Sequence, residues 1–224
     1  MISLFLLSAL LKFMPWIFLA IIFAVIIFIY LKRHNLEGET TIRRLKILII
    51  AVIVFRIFYA ILETVGQYYA WGSSLIGETL INIPISKSAL GFGFDKILFS
   101  LFDYSHGYFI FYAVSRFWLN IIISVAAASV FYIFLIILKN YQERFFEKGE
   151  VELGFLVALI LAWPNIVIFV PLVFLAVVLI SIYKGIFFKE AYTTLGAPFI
   201  LAGIFTALFG AWLINYFNLG VLRI

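Results

Sequence analysis

Six glutamates stand where this chain could do acid–base chemistry. Four of the nine in the sequence, Glu143, Glu147, Glu150 and Glu152, fall in one charged stretch, 139–152, between two long apolar segments. Glu37 and Glu39 follow the first apolar segment. Two carboxyls that share a proton can split a peptide, one drawing a proton from water while the other protonates the substrate. Glu150 with Glu37 or Glu39 is the candidate pair. Glu150 and Glu152 cannot pair on a helix, because residues two apart point away from each other. Glu143, Glu147 and Glu150 would share a helix face, the pattern of a solvated stripe. The chain's two aspartates, Asp95 and Asp103, lie far from this stretch. Gly91-Phe-Gly-Phe-Asp95 reads as a turn before an amphipathic piece. Asp103, Ser105 and His106 include the residue types of a triad, but a triad is a spatial arrangement that three crowded loop residues rarely reach.

Composition narrows the chemistry further. Without cysteine there is no thiol nucleophile or disulfide, and with two histidines, His34 and His106, no His-rich metal site; no metal or cofactor is expected. His34 beside Lys32 and Arg33 suits lipid headgroups better than a metal. At 12% charged against the roughly 25% of soluble proteins, and 66% hydrophobic, the chain belongs in a bilayer. The net charge of +5 fits positive loops on the cytoplasmic side, and no nucleic-acid partner is expected.

The elements that must position the glutamates are therefore membrane helices in a single integral membrane domain, 1–224. The first apolar run is interrupted by Lys12 and Pro15 and continues to Leu31; no small-residue cleavage site follows, so it reads as a helix rather than a signal peptide. A second helix covers 45–62 and contains Arg56, which either reaches toward Glu63 two turns on or snorkels to the interface. The region 66–116 is too long for a plain connection. Its short runs 80–85 and 97–102 cannot span, and with Tyr68, Tyr69 and Trp71 they predict amphipathic or re-entrant pieces at the membrane surface. Helices follow at 117–138, with a small-residue patch Ser124–Ser129 for close packing, at 151–163, at 166–183 with Pro171 inside, and at 195–217. That makes about six spans. Loops 32–46, 139–152 and 184–190 hold ten of the sixteen basic residues. The positive-inside rule puts these three loops in the cytoplasm and the 66–116 insertion outside.

Against that frame three motifs become specific: Gly149-Glu-Val-Glu-Leu-Gly-Phe, then Trp163-Pro-Asn, then Thr194-Leu-Gly-Ala-Pro-Phe-Ile-Leu-Ala-Gly203. Together they resemble the C-terminal half of type IV prepilin peptidases, membrane aspartic proteases with a GxGD-V-K-L segment before a short helix and a late helix that opens with Pro-Phe. The resemblance covers about 149–218; the first half corresponds only in its order of helices and polar loops, and the family's methyltransferase part has no counterpart. It implies two catalytic aspartates at cytoplasmic helix ends. One position falls on Glu150 and the other near Leu31, and neither is an aspartate. Glu152 replaces the flanking lysine, Glu147-Lys148-Gly149 replaces Gly-x-Gly, and Ala197 replaces a glycine before Pro198-Phe199.

The resulting expectation is an all-α, prepilin-peptidase-like bundle in a prokaryotic inner membrane, a pseudoenzyme that binds or supports pilin-like transmembrane segments. Gly149, Glu152, Pro198, Phe199 and Arg56 are its structural markers. An active leader peptidase using Glu150 with Glu37 or Glu39 is the alternative. A small transporter or channel subunit is the third reading, weakened by how few charged residues lie inside the spans.

Overall fold

The computed structural model describes residues 2–33, 38–84, 106–187 and 193–222, and they contain no strand. In chain order the helices are α1 (Ile2–Lys32), α2 (Gly38–Gly72), α3 (Leu75–Ile81), α4 (Gly107–Tyr141), α5 (Glu150–Leu161), α6 (Asn165–Phe187) and α7 (Gly196–Tyr216). Tight 3₁₀ turns occupy Glu143–Phe145 and Leu219–Leu222. The Leu11–Lys32 part of α1 and helices α2, α4, α6 and α7 are each long and apolar enough to cross a membrane. The chain is an all-helical, multi-pass membrane bundle.

Several elements run past their apolar cores. α2 has 35 residues, about 52 Å at 1.5 Å per residue, against a hydrocarbon layer of about 30 Å. Apolarity marks the part of a helix that meets lipid, whereas the backbone ladder continues through Glu39, Arg43 and Lys46, which are all compatible with a helix. α1 likewise stays helical through Lys12 and Pro15, and α6 through Pro171. α4 begins ten residues ahead of the expected 117 and carries a π-helical turn at Val114–Trp118. The expected span at 151–163 is the short one: α5 has 12 residues, about 18 Å, too few to cross a bilayer alone.

The chain divides into two compact units, and α1, α2 and α4 contribute to both. The first comprises 1–15, 56–120 and 224. Here Trp71 and Phe117 pack on Ile81, Phe109 and Ala113. The Trp118 indole donates to Thr64 Oγ1 at 3.3 Å, and Tyr59 OH donates to the Leu11 carbonyl at 2.9 Å. Within 66–116, Tyr68, Tyr69 and Trp71 belong to α2, and α3 follows, capped by Ser74 and exposing Leu75 and Ile76. Residues 85–105, with Asp95, Asp103, Ser105 and the Gly91 motif, lie outside the described residues.

The second unit, 16–55 and 121–223, is organised around α5. A helix apolar on every side must be surrounded, and every α5 residue except Glu152 and Phe155 is buried. Two glycines let its neighbours close in. A Cβ on Gly154 would stand 2.6 Å from Leu135 of α4 and 2.9 Å from the Phe199 ring of α7. One on Gly203 of α7 would stand 2.6 Å from Val157. Phe199 is fully buried and meets Phe131 edge to face, with centroids 6.2 Å apart. The Trp163-Pro164 turn after α5 contains a cis peptide bond. It is fixed by the Trp163 N–H donating to buried Ser124 Oγ at 2.9 Å and the indole N–H donating to the Leu222 carbonyl at 2.6 Å.

Candidate functional site

α4 ends at Tyr141, and the chain reaches α5 through the 3₁₀ turn and an extended stretch. Gly149 ends that connection at φ +91°, a conformation that L side chains rarely adopt. The turn sets Glu150 as the first residue of α5 and aims it inward, where it is 2% exposed. Glu143, Glu147 and Glu150 consequently do not share a helix face: they occupy a 3₁₀ turn, the connection and the start of α5.

Four donors converge on the Glu150 carboxylate. Oε1 accepts from the Gly196 N–H at 2.9 Å and from Arg33 Nη1 at 3.1 Å. Oε2 accepts from the N–H groups of Leu195 and Glu147, both at 3.1 Å. Leu195 and Gly196 open α7, the positive end of its dipole, which favours an anion. Only glycine fits at 196, because a Cβ there would run into the Tyr30 ring and into Glu150 Oε1. Arg33 follows directly on α1 and lies over the Tyr30 ring, 4.1 Å from its centroid. Its second nitrogen pairs with Glu147 Oε2 at 3.0 Å. One guanidinium therefore bridges two carboxylates, a use suited to its planar fork.

Burial is the strongest influence on Glu150 and pushes its carboxyl above the ordinary glutamate range. The N–H groups of Glu147 and Gly196 pull it back, Glu147's charge raises it, and Arg33 lowers it. The donor geometry suits the ionised form, which accepts at about four lone-pair positions and donates nothing. All of them are taken.

A general base needs a lone pair within reach of the proton it removes, and Glu150 has none to offer. A proton-sharing dyad needs two carboxyls in contact, whereas the second carboxylate here, Glu147, meets Glu150 through a cation. Beside the pair is a cavity of about 20 Å³ lined by Tyr30, Arg33, Thr41, Lys148, Gly149 and Glu150 among others. That is room for roughly one water and none for a peptide. Thr41 Oγ1 is buried without a hydrogen-bond partner among the described residues.

Of the candidate pair, Glu37 lies outside the described residues. Glu39 is exposed in the first turn of α2, on a surface groove with Arg43 and Lys46, and makes no described contact with Glu150. Pro198 and Phe199 are buried in α7, and Glu152 is half-buried on α5. Arg56 is half-buried and belongs to the first unit. In that unit Glu63 has Tyr59 as a hydrogen-bond partner and Arg116 as a nearby charge. No three His, Asp or Glu side chains gather as a metal site among the described residues.

Composition and spacing did not single out Arg33, Tyr30 or the N–H groups of α7, and they put Glu147 on a solvated stripe. Arg33 reads in the sequence as one more positive residue of a cytoplasmic loop. The only available signal was its position: it stands two residues after Leu31, where the prepilin-peptidase resemblance puts the first aspartate. The geometry joins loop 32–46 to loop 139–152 through Arg33 with Glu147 and Glu150, and Glu150 to the start of α7 through the Leu195 and Gly196 N–H groups; residues 188–190 of the third basic loop lie outside the described residues. No family model matches the chain, and no curated protein or solved structure is significantly similar to it.

Proposed function

We propose that this chain is a non-catalytic, prepilin-peptidase-like protein of a prokaryotic inner membrane that holds pilin-like transmembrane segments without cutting them. The single observation that carries the proposal is the closure of Glu150 by four donors, one of them the arginine that stands near the first aspartate position of the resemblance. With an arginine and a glutamate there, an acid–base pair becomes an ion pair. Its work is then mechanical, tying the end of α1, the start of α5 and the start of α7 into one fixed end of the bundle.

The test is to reconstitute the full chain with a prepilin bearing a basic leader, beside Glu150→Gln. Substrate that co-purifies with its leader intact supports the proposal. Leader loss that disappears in Glu150→Gln defeats it and restores the peptidase reading with Glu37 or Glu39. Solute flux across proteoliposomes, with neither binding nor cleavage, favours a transporter.

A further inference from the structure

The cytoplasmic end of α2 presents a second feature, separate from the Glu150 site and independent of the function proposed above. Arg43, Lys46, Ile47, Ile50 and Val54 are all exposed, and their spacing of three and four residues puts them on one helix face. The first four line a surface groove of about 520 Å³ together with Glu39. Ile47, Ile50 and Val54 are 57, 62 and 59% exposed. The face is therefore split, with two cations at the top and a bare hydrocarbon stripe beneath.

Two other cations of this loop, Arg33 and Lys32, are engaged within the fold, and Arg44 is exposed away from the groove. Arg33 pairs with Glu147 and Glu150, and Lys32 lies over the Phe28 ring, 4.6 Å from its centroid. Among the described residues no carboxylate forms an ion pair with Arg43 or Lys46, although Glu39 stands one turn before Arg43 in the same groove. A ligand for this face needs an anionic head and a hydrocarbon tail. Free phosphate would satisfy only the upper part. An acidic peptide would leave backbone N–H and C=O groups against Ile50 and Val54, at a depth where no water satisfies them. A phospholipid of the anionic cytoplasmic leaflet matches both halves.

We infer that Arg43 and Lys46 bind the headgroup phosphate of one anionic phospholipid, with an acyl chain lying along Ile47, Ile50 and Val54. The experiment uses the full chain in mild detergent. Retained lipid is measured by native mass spectrometry, and thermal stability is followed as phosphatidylglycerol, phosphatidylcholine or inorganic phosphate is added. Each cation near an anionic lipid is worth roughly a fivefold preference. Lys46→Gln should therefore weaken phosphatidylglycerol retention about fivefold, and Arg43→Gln with Lys46→Gln about 25-fold. Arg44→Gln, exposed but outside the groove, should retain the lipid like the parent chain. The inference is overturned if the double variant retains phosphatidylglycerol undiminished, or if phosphatidylcholine or phosphate alone stabilises as well. It is equally overturned if Arg44→Gln loses as much as Lys46→Gln, which would mean adsorption to charge without a site.

Discussion

Replacing Arg33 with Met keeps most of the side chain's bulk while removing the cation between Glu147 and Glu150. The Arg33 side chain is 19% exposed and that of Glu150 3%, so the pair is largely shielded from water. Breaking a buried pair by deleting one partner costs about 3–5 kcal/mol, because the other charge stays behind. Three backbone N–H groups still hold Glu150, which favours the lower end, about 3 kcal/mol. For a chain of this length that corresponds to a fall in Tm of about 6–12 °C. The pH dependence gives the cause away. Glu150 has a folded pKa above the ordinary 4.5, so the folded chain binds more protons than the unfolded one just above that pH. Its contribution to stability is fully present at or below 4.5. It declines as pH rises through the folded pKa and stays lost above it. Losing Arg33 raises that pKa further and widens the window upward, so the deficit of Arg33→Met should shrink as the medium is acidified toward 4.5. Tryptophan fluorescence during thermal unfolding in detergent, recorded from pH 4.5 to 8, reads both effects. A Tm within about 1 °C of the parent chain, or a deficit that grows on acidification, would refute the reasoning.

Other substitutions test the neighbouring contacts by the same unfolding assay. Glu150→Gln supplies an NH2 where two N–H groups already point, and should cost about 1–3 kcal/mol for the donors left unpaired. Combined with Arg33→Met it should prove non-additive by roughly 1–3 kcal/mol, since both act on one network. Gly154→Ala overfills the space between Leu135 and Phe199 and should cost about 1–3 kcal/mol, whereas Gly185→Ala, with nothing near its Cβ, should be neutral or slightly stabilising. Ser124→Ala removes the acceptor for the Trp163 N–H and should lower stability by about 1–3 kcal/mol.

The all-helical bundle was legible because apolar length alone announces a spanning helix. Element ends were less legible, since Glu39, Arg43 and Lys46 extend α2 beyond its apolar core without any change that hydropathy can see. α5 was found, but its 12 residues are too few to cross a bilayer alone, and its burial among other helices shows only in the packing. At the site, Glu150 stood out by type and by resemblance. Its partners did not, because three of the four donors are backbone N–H groups, which every residue but proline carries, and the fourth looks like an ordinary loop arginine. Their convergence depends on Gly149 turning α5 inward and Gly196 admitting the start of α7, both consequences of tertiary approach.

The most direct measurement is a time course of leader removal from a prepilin by the wild-type chain in proteoliposomes, quantified beside Glu150→Gln and an empty-vesicle control. If Arg33 and the N–H groups of Glu147, Leu195 and Gly196 hold Glu150 as described, all three preparations leave the leader intact and indistinguishable. Cleavage by the wild type that is absent from Glu150→Gln would contradict it, because Glu150 would then have a lone pair to give.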